Sequence, residues 1–190
     1  MTERGVREFP ALPWDRGEIA RYAGCPKGTL PPLLEECLPE AASVVRNRVA
    51  WACYPIVFTD EGLDLGFCRT GSRDLTRSLL GCEHVVLFAA TVGAGMDRLV
   101  QKYARLSPAK AQLFQAIGAE RAEALCDAFC REFGALLPLR PRFSPGYGDL
   151  PLAMQRDIFA ALNLEKTLGL RLGENLLMTP TKTVTAVAGW

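Results

Sequence analysis

Histidine is nearly absent from this sequence, and its scarcity limits the chemistry that the chain can perform. His84 is the single histidine among 190 residues, which excludes a metal centre built from several histidines. A Ser-His-Asp triad built on His84 has no supporting motif. Its place directly before an apolar run is more typical of a surface residue or of one that enters a strand.

Paired cysteines and long apolar runs are also missing. The seven cysteines are scattered and contain no Cys-x-x-Cys pair, which argues against a disulfide framework and against a zinc site. The first residues lack a signal-peptide pattern, and no stretch of roughly 18 apolar residues occurs. We therefore expect reduced thiols, no membrane partner and a cytoplasmic protein.

The chain has no excess of either charge. Its 22 basic and 21 acidic side chains give a formal net charge of +1, so no electrostatic footprint for nucleic acid is present. Apolar residues make up 49% of the chain and charged residues 23%, as in ordinary globular proteins. The length predicts a single domain over residues 1–190.

Hydrophobic periodicity predicts a mixture of helices and strands. Helices are predicted over residues 15–24, 31–47, 72–80, 96–106, 108–133 and 151–161, and again after Asn163. Strands are predicted over residues 51–59 and 63–67 as an antiparallel pair, and over residues 84–91 and 183–187. We expect an α+β fold with a mostly antiparallel twisted sheet and flanking helices, residues 1–50 forming a helical N-terminal part and residues 51–190 the core.

A glycine turn, Thr91-Val-Gly-Ala-Gly, follows the apolar strand. A strand, a Gly-x-Gly turn and a helix start can cradle a phosphate on backbone N–H groups. This turn lacks the third glycine of a dinucleotide-binding loop and the Lys-Ser/Thr pair of a P-loop. We interpret it as a tight turn and assign no nucleotide cofactor to it.

The segment Arg142-Phe-Ser-Pro-Gly-Tyr-Gly joins a cation, a phenol and two turn-forming residues. Pro145 fixes φ and Gly146 can adopt a positive φ, so the backbone can turn tightly there. Arg142 would offer a planar fork to a carboxylate, and Tyr147 an aromatic face and a hydroxyl. Taken alone, these residue types favour an ordinary Pro-Gly turn over a loop that grips a small polar ligand.

The same segment resembles the Arg-x-x-x-Gly-Tyr signature of the C-terminal reactivation domain of cobalamin-dependent methionine synthase, which binds S-adenosylmethionine (AdoMet). Further blocks resemble that family in the same order along the chain. They are Phe88-Ala-Ala-Thr-Val-Gly, Ala122-Glu-Ala and Gly169-Leu-Arg-Leu-Gly-Glu-Asn-Leu-Leu-Met-Thr-Pro. The likeness spans residues 83–190 and implies that the core binds AdoMet.

The resemblance also implies which residues form the AdoMet site. They are Arg142, Ser144, Gly146, Tyr147, Glu123 and Glu174. Arg142 would bind the methionine carboxylate, Ser144 would contribute backbone hydrogen bonds, and Tyr147 would line the ligand. Glu123 would face the positively charged end of AdoMet, and this acid would be held apart from the cation Arg142. On helical spacing alone Glu123 is a solvated acid, and Glu174 is equally consistent with an exposed acid at a strand start.

The implied function is reductive methylation, or reactivation, of a cobalamin. The chain is shorter than the family's domain and lacks the Asp-x-His-x-x-Gly motif that ligates cobalamin. We therefore expect a stand-alone module that acts in trans on a cobalamin-binding methionine synthase subunit, as the reactivation component of this methyltransferase of methionine biosynthesis. Flavodoxin or another reductant would supply the electrons.

Two other functions remain open at this point. The client could be the corrinoid protein of another methyltransferase. The chain could also be a non-catalytic interaction or sensor protein that has kept the same scaffold.

Overall fold

The computed structural model describes residues 3–135 and 137–190. Its helices are α1 (Arg16–Tyr22), α2 (Leu34–Val44), α3 (Arg73–Ser78), α4 (Gly95–Leu106), α5 (Pro108–Gly134), α6 (Gln155–Leu162) and α7 (Leu164–Thr167). Its strands are β1 (Arg4–Glu8), β2 (Arg48–Pro55), β3 (Val57–Thr59), β4 (Gly62–Asp64), β5 (Arg69–Thr70), β6 (His84–Thr91), β7 (Arg171–Leu172), β8 (Met178–Thr179) and β9 (Thr183–Gly189). The α+β class is thereby confirmed.

A four-stranded antiparallel sheet in the order β1-β2-β6-β9 lies at the centre of the molecule. In β6, Val86 and Phe88 belong to a core shared with helices α1, α2, α4 and α5. Val85 and Leu87 belong to a second core on the opposite face, shared with α3, α6 and α7. Because both faces are covered, β6 is a continuous apolar run instead of an alternating one.

Helix α5 is the longest helix of the first core. The Ser107 hydroxyl accepts a hydrogen bond from the Lys110 backbone N–H at 3.4 Å, and Pro108 occupies the first helical position, both favourable choices at a helix start. The predicted helix over residues 108–133 is confirmed within one residue. No described helix combines the length and apolar character needed to span a bilayer.

The N-terminal part is helical only in part, because β1 forms an outer strand of the main sheet beside β2. Four of its five residues are exposed, so no apolar alternation marked it in the sequence. The segment after β1 is fixed by Arg121, whose side chain donates to the carbonyl oxygens of Leu12 and Pro13 at 2.7 and 2.9 Å.

The predicted strand over residues 51–59 is two strands in different sheets. β2 pairs with β1 and β6 in the main sheet, whereas β3 pairs with β4 across a turn of residues 60–61 in a separate three-stranded sheet. The chain leaves the main sheet after Pro55, which has no N–H to continue a ladder. The antiparallel pairing across the turn is confirmed for residues 57–59 and 62–64.

The glycine turn after β6 has a packing role. Gly93 has φ +82°, and a Cβ on Gly95 would lie 2.5 Å from the Val44 carbonyl oxygen. Only glycine allows the start of α4 to approach the end of α2 so closely. The interpretation as a tight turn agrees with this packing.

Candidate functional site

A cleft of about 680 Å³ lies between α5, the segment 141–147 and β9. Four of the predicted residues line it: Glu123, Arg142, Ser144 and Tyr147. Its volume is within the range of small-molecule sites, about 300–1,000 Å³. The structure thus brings together residues that are far apart in the sequence.

Strand β9 positions the segment that carries Arg142. The Phe143 N–H donates to the Val187 carbonyl oxygen at 2.8 Å, and the Val187 N–H donates back at 2.9 Å. Residues 140–143 therefore run along the outer side of β9. Phe143 packs against the second core, and successive side chains of an extended segment point to opposite faces. Arg142 consequently points towards α5.

The loop after Phe143 turns as the Pro-Gly sequence predicts. Gly146 has φ +90°, and its N–H donates to the Leu150 carbonyl oxygen at 2.9 Å. The Tyr147 N–H donates to the Ser144 carbonyl oxygen at 3.2 Å. Pro145 is buried, whereas Tyr147 is 68% exposed at the rim of the cleft.

Arg142 is held by two acids of helix α5. Its Nη2 lies 2.6 Å from Glu123 Oε2, and its Nη1 is hydrogen-bonded to Asp127. Glu123 and Asp127 share a helix face because they are four residues apart. Burial opposes the charge on Arg142, but the bonds to Asp127 and Glu123 outweigh it and raise the pKa of the guanidinium. Arg142 is therefore a permanent cation.

This arrangement differs from the expectation that Glu123 and Arg142 lie apart at two ends of a ligand. They form a direct ion pair, and Asp127 is a second acid at the same cation. Asp127 was missed by the sequence analysis. The spacing of Glu123 and Asp127 by one helical turn is the signal that could have found it.

The remaining walls of the cleft come from elements that the sequence analysis did not connect with the site. They are contributed by Gln155 of α6, Met178 of β8, and Thr183, Val184 and Thr185 of β9. The Thr185 hydroxyl donates to Gln155 Oε1 at 2.9 Å. Thr183 and Thr185 point to the same side because they alternate along a strand.

Cys126 and Cys130 lie on α5 beside Arg142. Burial raises the pKa of both thiols, although Arg142 acts in the opposite direction. Both side chains are therefore neutral thiols near pH 7. All seven cysteines are free, and within residues 3–135 and 137–190 no group of three or more His, Cys, Asp or Glu side chains is arranged to hold a metal ion.

The structure does not bring Glu174 and His84 to the cleft. Glu174 is exposed in the turn between β7 and β8, and it lines a separate groove beside Asn163. His84 stacks on Trp190 with ring centroids 5.5 Å apart. This stack lies beside the C-terminal end of β9, whereas Thr183 of the cleft lies at the N-terminal end of that strand.

No protein-family model matches the chain, and no curated protein matches it. Among solved structures, the chain is similar to a crystal structure of the MetH reactivation domain bound to AdoHcy, with a TM-score of 0.66 and 17% sequence identity. The match covers 97% of this chain and 78% of that chain.

The chain has the fold of the MetH reactivation domain. The predicted antiparallel sheet with flanking helices is thereby confirmed. At 17% identity the likeness to the MetH reactivation domain establishes the fold alone.

Proposed function

We propose that the chain binds AdoMet in this cleft and supports reductive methylation of a corrinoid carried by a partner chain. One observation carries the proposal. The cleft that gathers Glu123, Arg142, Ser144 and Tyr147 belongs to a fold shared with a domain bound to AdoHcy. AdoHcy is the molecule that remains after AdoMet has given up its methyl group.

The ion pair of the cleft suits the amino-acid end of AdoMet. A carboxylate and an ammonium are attached to one carbon there, so a neighbouring cation and anion are complementary to them. Arg142 has five N–H groups, and its bonds to Glu123 and Asp127 leave others for a ligand carboxylate. Glu123 is 41% exposed and can accept a hydrogen bond from the ammonium.

The rest of the cleft suits the nucleoside end. Tyr147 offers an exposed aromatic face to a flat base. Gln155 and Thr185 offer an amide and a hydroxyl to ribose or to the base. The donors and acceptors of the wall are thus the kinds that a charged nucleoside derivative requires.

AdoMet supplies an electrophilic methyl group on a positively charged sulfur, and the reduced cobalt of the partner's corrinoid would be the acceptor. The residues of this chain bind and orient the methyl donor, and the walls of the cleft limit the access of water to it. His84 is stacked on Trp190, away from the cleft. In this proposal the corrinoid and its axial ligand are supplied by a partner chain.

Titration calorimetry with AdoMet tests the first part of the proposal. We expect saturable binding with one site per chain, and AdoHcy should compete for it. The absence of binding at millimolar AdoMet would contradict both reactivation functions. Free methionine and free adenosine are the control ligands, because each fills only one end of the cleft.

Transfer of a labelled methyl group tests the second part. A cobalamin-binding methionine synthase subunit from the same organism is reduced with flavodoxin or a chemical reductant, and AdoMet is added with or without this chain. We expect methylation of the corrinoid to be faster with the chain. The corrinoid protein of another methyltransferase is the alternative client. AdoMet binding without methylation of either client favours the non-catalytic sensor.

A further inference from the structure

We infer that Asp149 is a positioning residue, which fixes the loop of residues 144–148 on helix α3 and thereby sets the affinity of the cleft for AdoMet. This inference rests on the proposed function. Asp149 itself does not line the cleft, so it would act through the loop that carries Ser144 and Tyr147.

The carboxylate of Asp149 completes the start of α3. It accepts hydrogen bonds from the backbone N–H groups of Arg73 at 2.8 Å and Asp74 at 3.2 Å, and one from the Ser72 hydroxyl. Ser72 in turn accepts a hydrogen bond from the Leu75 N–H at 3.1 Å. The first N–H groups of a helix have no partner within the helix. Asp149 therefore supplies acceptors to a helix 76 residues earlier in the chain.

Helix α3 is a firm support for the loop. Leu75 and Leu79 are fully buried in the second core, so the helix is held by the sheet beneath it. The loop backbone also lies directly on α3, because a Cβ on Gly148 would lie only 3.2 Å from the Asp74 Cβ. Two neighbouring residues, Gly148 and Asp149, thus join the loop to the same helix.

The loop is fixed at both of its ends. Phe143 pairs with Val187 of β9 before the loop begins, and Leu150 is buried in the second core after it ends. Between these points, the Tyr147 N–H donates to the Ser144 carbonyl oxygen within the loop, and the Gly146 N–H donates to the Leu150 carbonyl oxygen just after it. The Asp149 carboxylate is thus the group that bonds this part of the chain to helix α3, and a shift of about 1 Å in a binding group can cost as much as about a hundredfold in function.

The variant Asp149→Ala tests this role by calorimetry with AdoMet. We expect binding about tenfold weaker than in the unaltered chain, because the loop loses its contact with α3. Amide hydrogen exchange should become faster at Gly146, Tyr147 and Leu150, and should stay unchanged in α5. Asp149→Asn keeps one carbonyl acceptor and should give intermediate affinity. It also serves as the test variant if Asp149→Ala does not fold.

Asp15→Ala is the matched control. Asp15 caps α1 by accepting a hydrogen bond from the Glu18 N–H at 3.0 Å, and α1 contributes no residue to the cleft. AdoMet affinity should be unchanged in this variant. Equal affinity in Asp149→Ala and the unaltered chain overturns the inference, and so does an equal loss in both cap variants. If the unaltered chain does not bind AdoMet, the proposed function fails, whereas hydrogen exchange still tests the anchoring of the loop.

Discussion

Arg142 is the only cation among the described residues that line the cleft. Its guanidinium is partly buried and bonded at two nitrogens, so its direction is set by Glu123 and Asp127 before a ligand carboxylate meets it. Such preorganisation reduces the entropy lost on binding. We therefore expect the affinity for AdoMet to depend most on the planar guanidinium of Arg142, which two acids hold in place.

Replacing Arg142 by alanine should weaken AdoMet binding by about a hundredfold, since charge-assisted hydrogen bonds to the carboxylate are lost. The fold should remain, because Glu123 and Asp127 are 41% and 56% exposed and can be hydrated. Calorimetry and circular dichroism measure the two effects. Arg140→Ala is the control, as Arg140 is exposed and outside the cleft. An unchanged dissociation constant in Arg142→Ala would reject the assignment.

Tyr147 should contribute less than Arg142. Its ring is 68% exposed, so Tyr147→Ala should weaken AdoMet binding roughly threefold to tenfold by removing an aromatic surface. Tyr147→Phe keeps that surface and should bind nearly as well as the unaltered chain. A large loss in Tyr147→Phe would mean that the hydroxyl contributes most of the effect, contrary to this expectation.

Residues that line the cleft were predictable where they share a short segment. Arg142, Ser144 and Tyr147 lie within six residues of one another, and their chemistry is visible without a fold. Gln155 and Thr185 were not predictable. They reach the cleft only because α6 and β9 meet there, and pairing between distant elements leaves no local pattern in a sequence. Asp127 was missed although its spacing from Glu123 by one helical turn could have indicated it.

At the scale of elements, strands were predicted where burial gave them a pattern. β6 is buried along all but its first residue, and its apolar run predicted its bounds. β1 is joined to the sheet through its backbone while its side chains stay exposed, so hydrophobic patterning could not detect it. The break after Pro55 was missed because the residues on both sides favour strands.

The buried ion pair Glu120–Arg121 of α5 should be important for stability. Arg121 is 1% exposed and Glu120 is 3% exposed, and Arg121 also stacks on Trp14 with its Cζ 4.1 Å from the ring centroid. Arg121→Ala leaves the Glu120 carboxylate without its cation, so the free energy of unfolding should fall by about 3–5 kcal/mol. Urea denaturation measures this.

The double variant Glu120→Gln, Arg121→Met should lose less stability than Arg121→Ala, because neither charge is left unpaired. Arg98→Ala is the control, as Arg98 lies exposed on α4, and a change within about 0.5 kcal/mol is expected for it. A loss in Arg121→Ala no larger than in Arg98→Ala would contradict the role of the buried pair.

The contact between the loop and α3 should depend on pH. Hydrogen bonds from the Ser72 hydroxyl and the Arg73 N–H lower the pKa of Asp149. Because the pKa of Asp149 is lower in the folded state, its ionised carboxylate stabilises the folded chain at pH values above the unfolded pKa of about 3.9. That contribution to stability is lost as the pH falls through the folded pKa. The stability difference between the unaltered chain and Asp149→Ala should be constant from about pH 5 to 8 and shrink below about pH 4. A difference that shrinks near neutrality would contradict this.

At the scale of the whole molecule, the cleft joins the two cores on either side of the sheet. Glu123 belongs to α5 of the first core, whereas Phe143 and Met178 pack against the second. A ligand in the cleft therefore contacts elements from both faces, and unfolding of either core would release it. Binding of AdoMet should raise the stability of the entire chain.

This coupling predicts a shift in the thermal unfolding midpoint. At a free AdoMet concentration of a hundred times Kd, the folded state gains about 2.7 kcal/mol. For a chain of this size each kcal/mol corresponds to about 2–4 °C, so the midpoint should rise by about 5–10 °C. Differential scanning calorimetry of the unaltered chain and Arg142→Ala at the same AdoMet concentration provides the comparison. The variant should rise by only about 1–2 °C, since binding about a hundredfold weaker leaves half of its clefts occupied and gains about 0.4 kcal/mol. An equal rise in both proteins would place AdoMet outside this cleft, because a ligand held at another site does not depend on Arg142.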